Sequence, residues 1–179
     1  MAWLGETLAS RGYLVAAVDH HGNTSAERQP TAAGFMLWWE RATDVSRVVD
    51  RLFADSVFGP QIDTTAIGVA GFSLGGYTAM LLAGARTSVA AWEAFCRSPA
   101  RDGTCEPQQE FPNAAAEFEK VRSDPAIRAS LARETASYRD PRIPGAYAIA
   151  PVRTVLTPGR LRAVQLPVRI VVGSADQTT

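Results

Sequence analysis

The sequence predicts an α/β fold, a mostly parallel sheet flanked by helices, and three observations carry that reading. Short apolar runs of strand length alternate with stretches of helical periodicity. The runs are continuous, as in strands buried on both faces. A glycine-rich turn joins one of them directly to a helix of small residues. At 179 residues the chain is sized for one domain, and 46% hydrophobic with 20% charged residues is a globular profile. Eighteen basic side chains offset eighteen acidic ones, which removes the charge footprint of a nucleic-acid binder. No apolar run approaches the ~20 residues of a transmembrane helix. The opening residues also lack the basic stretch and apolar run of a signal peptide.

Ala2 to Arg11 places Trp3, Leu4 and Leu8 at helical spacing, with Gly12 as the stop. Tyr13 to Val18 is a continuous apolar run and predicts a buried strand, followed by a long polar loop from His20 to Gly34. Trp38 to Ala54 reads as a helix whose stripe is Val45, Val48, Val49 and Leu52, closed by Gly59-Pro60. Ala66 to Ala70 predicts a second strand, and Tyr77 to Ala85 a small-residue helix. Residues 90–142 are polar and proline-containing, with helices expected at Ala114–Val121 and, capped by Asp124, at Pro125–Tyr138. Strands return at Ala146–Ala150 and Val168–Gly173, on either side of a polar turn around Thr157-Pro158-Gly159. Cys96 and Cys105 fit either a short-loop disulfide or two free thiols; neither has the spacing of a zinc site. Trp38 and Trp39 are expected in core or cap packing.

Gly71-Phe72-Ser73-Leu74-Gly75 matches G-x-S-x-G, and its setting between a buried strand and a helix is what that motif requires. A serine at such a turn projects its Oγ above the sheet edge, and flanking side chains at Gly71 and Gly75 are expected to collide with the neighbouring elements. Neither a dinucleotide glycine pattern nor a P-loop lysine is present, so no nucleotide cofactor is expected. A serine nucleophile needs a base, itself oriented by a carboxylate. Asp176, just past the Val168 strand at the same sheet edge, is the candidate acid. The two histidines, His20 and His21, both lie upstream, which breaks the Ser, acid, His order of the elbow fold. They read as loop-structural, with recruitment of one as base the competing reading.

Gly12 to His20 followed by Gly22-Asn23-Thr24, the elbow from Ile67 to Gly76, the Cys96–Cys105 stretch and Pro167 to Asp176 together resemble the dienelactone hydrolase-like α/β-hydrolases. More narrowly they resemble the bacterial branch related to platelet-activating-factor acetylhydrolase. The resemblance implies an α/β-hydrolase core over residues 1–179, incomplete at both termini, with 90–142 as an inserted helical cap. It implies Ser73 as nucleophile, Asp176 as triad acid and the Leu74 N–H as an oxyanion donor. It also implies a histidine loop beyond the acid, an oxyanion loop before the first helix and an interior strand between Tyr13–Val18 and Ile67–Ala70, none of which this sequence contains. Exported members would suit a Cys96–Cys105 bridge. The expected activity is hydrolysis of a small-molecule carboxylic ester through an acyl-enzyme, with no cofactor, metal or nucleic-acid partner. The alternative is an inactive fragment or scaffold. Substrate and oligomeric state are not specified.

Overall fold

The computed structural model describes residues 2–152 and 158–176. Three parallel strands, β1 (Gly68–Phe72), β2 (Gly145–Ile149) and β3 (Val168–Val171), form one sheet in that order. The register pairs Val69 with Ala146, and Ala146 with Val168. Parallel neighbours require crossovers, and helices supply them. Helices α1 (Ala2–Ala9), α2 (Ala32–Met36) and α3 (Glu40–Ala54) precede β1. Helices α4 (Leu74–Leu82), α5 (Val89–Cys96), α6 (Ala114–Val121) and α7 (Pro125–Leu131) separate β1 from β2, and α8 (Pro158–Leu161) precedes β3. Thr157 of the expected polar turn lies outside the described residues, while Pro158 and Gly159 open α8. This is the α/β-hydrolase arrangement of a parallel sheet flanked by helices.

The core is built around α4. Every residue from Gly76 to Leu82 is buried, because this helix is apolar around its whole circumference and has no face suited to water. Met80, Leu81, Leu82 and Tyr77 pack with Trp39, Leu37, Ile143 and Ala148. Burial pushes the Tyr77 hydroxyl pKa up, and that hydroxyl is hydrogen-bonded to Thr87. Trp38 meets Tyr77 and Trp92 edge-on, and Trp39 donates to Ser130 Oγ at 2.9 Å. Both tryptophans therefore join α2 and α3 to the helices of the 90–142 stretch.

Several elements differ from the sequence reading. Tyr13 to Val18 forms no strand: it runs without turn or bend and mostly exposed, and among the described residues its one backbone bond is from the Tyr13 N–H to the Leu8 carbonyl at 3.2 Å. Its apolar run is a burial signal, but a strand needs a hydrogen-bonded neighbour, and among the described residues none pairs with it. The helix after the elbow begins at Leu74, earlier than Tyr77, because Gly75 and Gly76 extend it back to the serine. The helix expected over Pro125–Tyr138 ends at Leu131. Its continuation is pulled into turns, since Glu134 accepts the Val89 N–H at the start of α5 and Arg133 reaches Glu40. Helix α5 was not expected; Ser88, which caps it by accepting the Ala91 N–H, was its only local signal. Cys96 and Cys105 are joined as a disulfide.

A charged network ties α3 to the lead-in of β2. Arg142 grips Asp140 in a two-point fork, at 2.8 and 2.6 Å, and also bonds Asp50 and the Ser46 carbonyl. Ser46 Oγ donates to the same carboxylate at 2.8 Å. These bonds, those from Arg142 foremost, hold the buried Asp140 carboxyl at about 2 against the opposing effect of burial. The folded value lies below the unfolded one, so the stabilisation is complete above the usual carboxylate range. It is lost as pH falls from about 4 to about 2. In acid titrations followed by circular dichroism, Asp140→Asn is expected to remove this part of the acid limb. It also lowers stability at neutral pH by leaving Arg142 without its main partner. Opening the nine-residue Cys96–Cys105 loop removes about 2–3 kcal/mol in the chain-entropy description. Cys105→Ser is accordingly expected to lower Tm by roughly 5–10 °C.

Candidate active site

Ser73 sits between the last residue of β1 and the first residue of α4. Its backbone is at φ 53°, ψ −116°, a left-handed conformation that an L-residue adopts at a cost of order 1–3 kcal/mol. Two hydrogen bonds hold it there. The Ser73 N–H donates to the Ile149 carbonyl of β2 at 2.9 Å, and the Ser73 carbonyl accepts from the Tyr77 N–H at 3.0 Å. The turn is thus clamped to the sheet on one side and to the helix on the other. The side chain is half-buried, and its hydroxyl caps nothing in the helix that follows.

The glycines around the serine differ in their reasons. A Cβ on Gly71 would lie 2.1 Å from the Gly75 carbonyl oxygen, so this position accepts nothing larger. At Gly75 a Cβ would meet nothing within 4 Å, which corrects the expectation that both flanking glycines are forced by crowding. The second crowded position is Gly76, whose Cβ would lie 3.1 Å from the Ile149 carbonyl and from Pro151. Sequence reasoning missed it because the motif ends one residue earlier.

Leu74 is the first residue of α4, so its N–H has no carbonyl four residues back within the helix to donate to. It points out of the positive end of the helix dipole, beside the serine. Asp176 lies beyond β3, its N–H donating to the Gly173 carbonyl at 3.0 Å in a tight turn. Ser73 and Asp176 therefore stand at the same, C-terminal edge of the sheet, with β2 between their strands. Two strand spacings separate their strands by roughly 10 Å, which leaves a side-chain-sized interval between them. At that edge Ala150 is also left-handed, at φ 43°, directly after β2 and before the buried Pro151. Strain thus gathers where the three strands end.

His20 is buried, with Nδ1 2.9 Å from Asp44 Oδ2, and His21 is exposed, with Nδ1 2.7 Å from Glu27 Oε1. Asp44, on α3, was not singled out in the sequence, where it reads as one more charge on a solvated helix face. Among the described residues no cluster of histidine, cysteine or carboxylate side chains could hold a metal ion. No helix among them is long and apolar enough to cross a membrane.

The contrast between the two glycines is directly testable. Gly71→Ala is expected to cost about 3 kcal/mol or more, through overpacking against Gly75. Gly75→Ala, which adds a methyl in open space within a helix, should be neutral or stabilising by up to about 1 kcal/mol. Denaturant melts of the two variants decide the matter.

Compared with known proteins, residues 1–94 match the model of the prolyl oligopeptidase family. That span contains Gly71, Ser73, Leu74 and Gly75 and stops before Asp176. No curated protein and no solved structure matches the chain. The match supports the α/β-hydrolase superfamily expected from the elbow, and it is to a different family from the dienelactone hydrolase-like one that the motifs resemble. More than half of the sequence is covered, and the strained Ser73 turn lies inside the matched span: the chain belongs to the prolyl oligopeptidase family, a family of serine hydrolases with the α/β-hydrolase fold.

Proposed function

We propose that this protein is a carboxylic ester hydrolase in which Ser73 is the nucleophile. The observation that carries the reading is the left-handed serine held between a buried strand and a buried helix. Such a turn costs free energy, and it presents the hydroxyl clear of the sheet beside an undonated helix N–H. In the reaction Ser73 Oγ attacks the ester carbonyl, and its proton passes to a base. The carbonyl oxygen takes up negative charge facing the Leu74 N–H and the positive end of α4. Collapse of the tetrahedral intermediate expels the alcohol, which takes the proton from the base. Water then attacks the acyl-enzyme by the same route and releases the acid.

The base in this chemistry is an imidazole oriented by a carboxylate. Asp176 supports that role by its place at the sheet edge shared with Ser73. The competing reading rests on the His20–Asp44 contact, which already has the bond at Nδ1 that a catalytic imidazole needs. The resemblance to esterases of the dienelactone hydrolase and acetylhydrolase type favours esters over peptides. In this reading the helices of 90–142 shape the acyl pocket.

Labelling with a fluorophosphonate probe tests the proposal. Ser73 is expected to be modified, and Ser73→Ala to lose both labelling and ester turnover by on the order of 10³-fold or more. An unlabelled Ser73 in the folded protein would refute the reading in favour of an inert scaffold. If His20 is the base, His20→Ala falls as far as Ser73→Ala while His21→Ala does not. If both retain full turnover, neither histidine serves.

A further inference from the structure

Where the three strands end, one peptide unit serves both sides of the sheet. Its carbonyl, that of Ile149, accepts from the Ser73 N–H at 2.9 Å. Its N–H, that of Ala150, donates to the Val171 carbonyl at 2.7 Å. The same plane therefore touches the turn that carries Ser73 and the strand that leads to Asp176. Ala150 closes this unit in a left-handed conformation, at φ 43°. We propose that Ala150 is a positioning residue for Ser73. Its strained turn sets the plane of the Ile149–Ala150 peptide and thereby fixes the serine backbone, and its bearing on reactivity rests on the reading of Ser73 as nucleophile.

Nothing local favours this conformation at Ala150. Glycine and asparagine adopt positive φ readily, whereas alanine does so at a cost. The residue before a proline is also biased toward extended backbone, and Pro151 follows. Such strain persists only where the surroundings over-determine it. Here the two hydrogen bonds hold the peptide from opposite sides. Beyond it Pro151 is fully buried against α4, 3.1 Å from where a Cβ on Gly76 would lie. The Ala150 dihedrals join these fixed points, β2 on one side and the lodged proline on the other.

Among the described residues, Ser73 and Ala150 are the non-glycine residues at positive φ, and one hydrogen bond links them through Ile149. With Pro151 held, rotation about the Ala150 N–Cα bond turns the preceding peptide plane. Relaxation of Ala150 toward an extended backbone therefore swings the Ile149 carbonyl off the Ser73 N–H. The left-handed serine then loses its clamp to the sheet and keeps only the one to Tyr77. Chemistry at a serine needs its geometry held to within about 0.5 Å, so a looser clamp slows reaction before it unfolds anything.

Two substitutions in the full chain separate positioning from plain packing strain. Ala150→Gly removes the side-chain cost of positive φ, which exceeds the entropy that glycine adds to the unfolded chain. Its Tm is expected to be unchanged or raised by up to about 4 °C. The peptide plane is nonetheless freed, so exchange of the Ser73 amide should quicken roughly threefold to tenfold, the worth of one hydrogen bond. The Met80 and Leu81 amides within α4 should keep their rates. Fluorophosphonate labelling of Ser73 should slow by the same roughly threefold to tenfold. Ala150→Asn tolerates the left-handed backbone but retains a side chain that restricts it, and should restore both rates.

The inference is overturned if Ala150→Gly leaves Ser73 exchange unchanged, or if all amides quicken together. It is equally overturned if labelling ignores a quickened Ser73 amide, or if Ala150→Asn behaves like Ala150→Gly. A wild-type chain that takes no label refutes the nucleophile reading instead. Exchange at Ser73 is measured whether or not the chain is labelled, and it then judges the role of Ala150 by itself.

Discussion

The burial of α4 is the constraint on which the rest of the structure depends. From Gly76 to Leu82 no residue meets water, and burying side chains such as Met80, Leu81 and Leu82 is worth about 1.5–3 kcal/mol each. That gain outweighs the 1–3 kcal/mol cost of a left-handed serine at the helix start. The helix must also lie close against β1 and β2, which is why Gly71 accepts no side chain and a Cβ at Gly76 would press to 3.1 Å from Ile149 and Pro151. The left-handed geometry at Ser73 follows from this packing, with the residue placed by the helix that could not be solvated.

The 90–142 stretch joins this core through Phe118 and Ile127, and particular bonds add to its hold. Trp39 donates to Ser130, Glu134 caps the start of α5, and the Asp140–Arg142 fork joins Asp50 and Ser46 of α3. The disulfide closes a loop within the stretch and makes no bond to the core.

Much of the sheet was legible because its signals are local. The apolar runs near β1, β2 and β3 place those strands to within about two residues, and Asp124 with Pro125 marks the start of α7. The place of Ser73 and Leu74 at a strand-to-helix turn was legible from the motif, and that of Asp176 in the turn after β3 from the apolar run before it. The His20–Asp44 pair was not, because its two members lie 24 positions apart and only the fold brings them together. The early end of α7 was equally hidden. Its residues have helical propensity throughout, and the tertiary bonds of Glu134 and Arg133 overrule it.

By itself the sequence determined the class of the fold, the strand-to-helix turn and the identity of the residue held there, since these follow from hydrophobic period, glycine placement and residue chemistry. Only the tertiary structure decided which glycines are truly crowded, what the histidines hold, and that residues 13–18 stand apart from the sheet. Those are questions of distance between segments remote in the chain. Periodicity records that a segment is suited to burial, but hydrogen-bond partners come from elsewhere in space, and where none is in reach an apolar run remains unpaired.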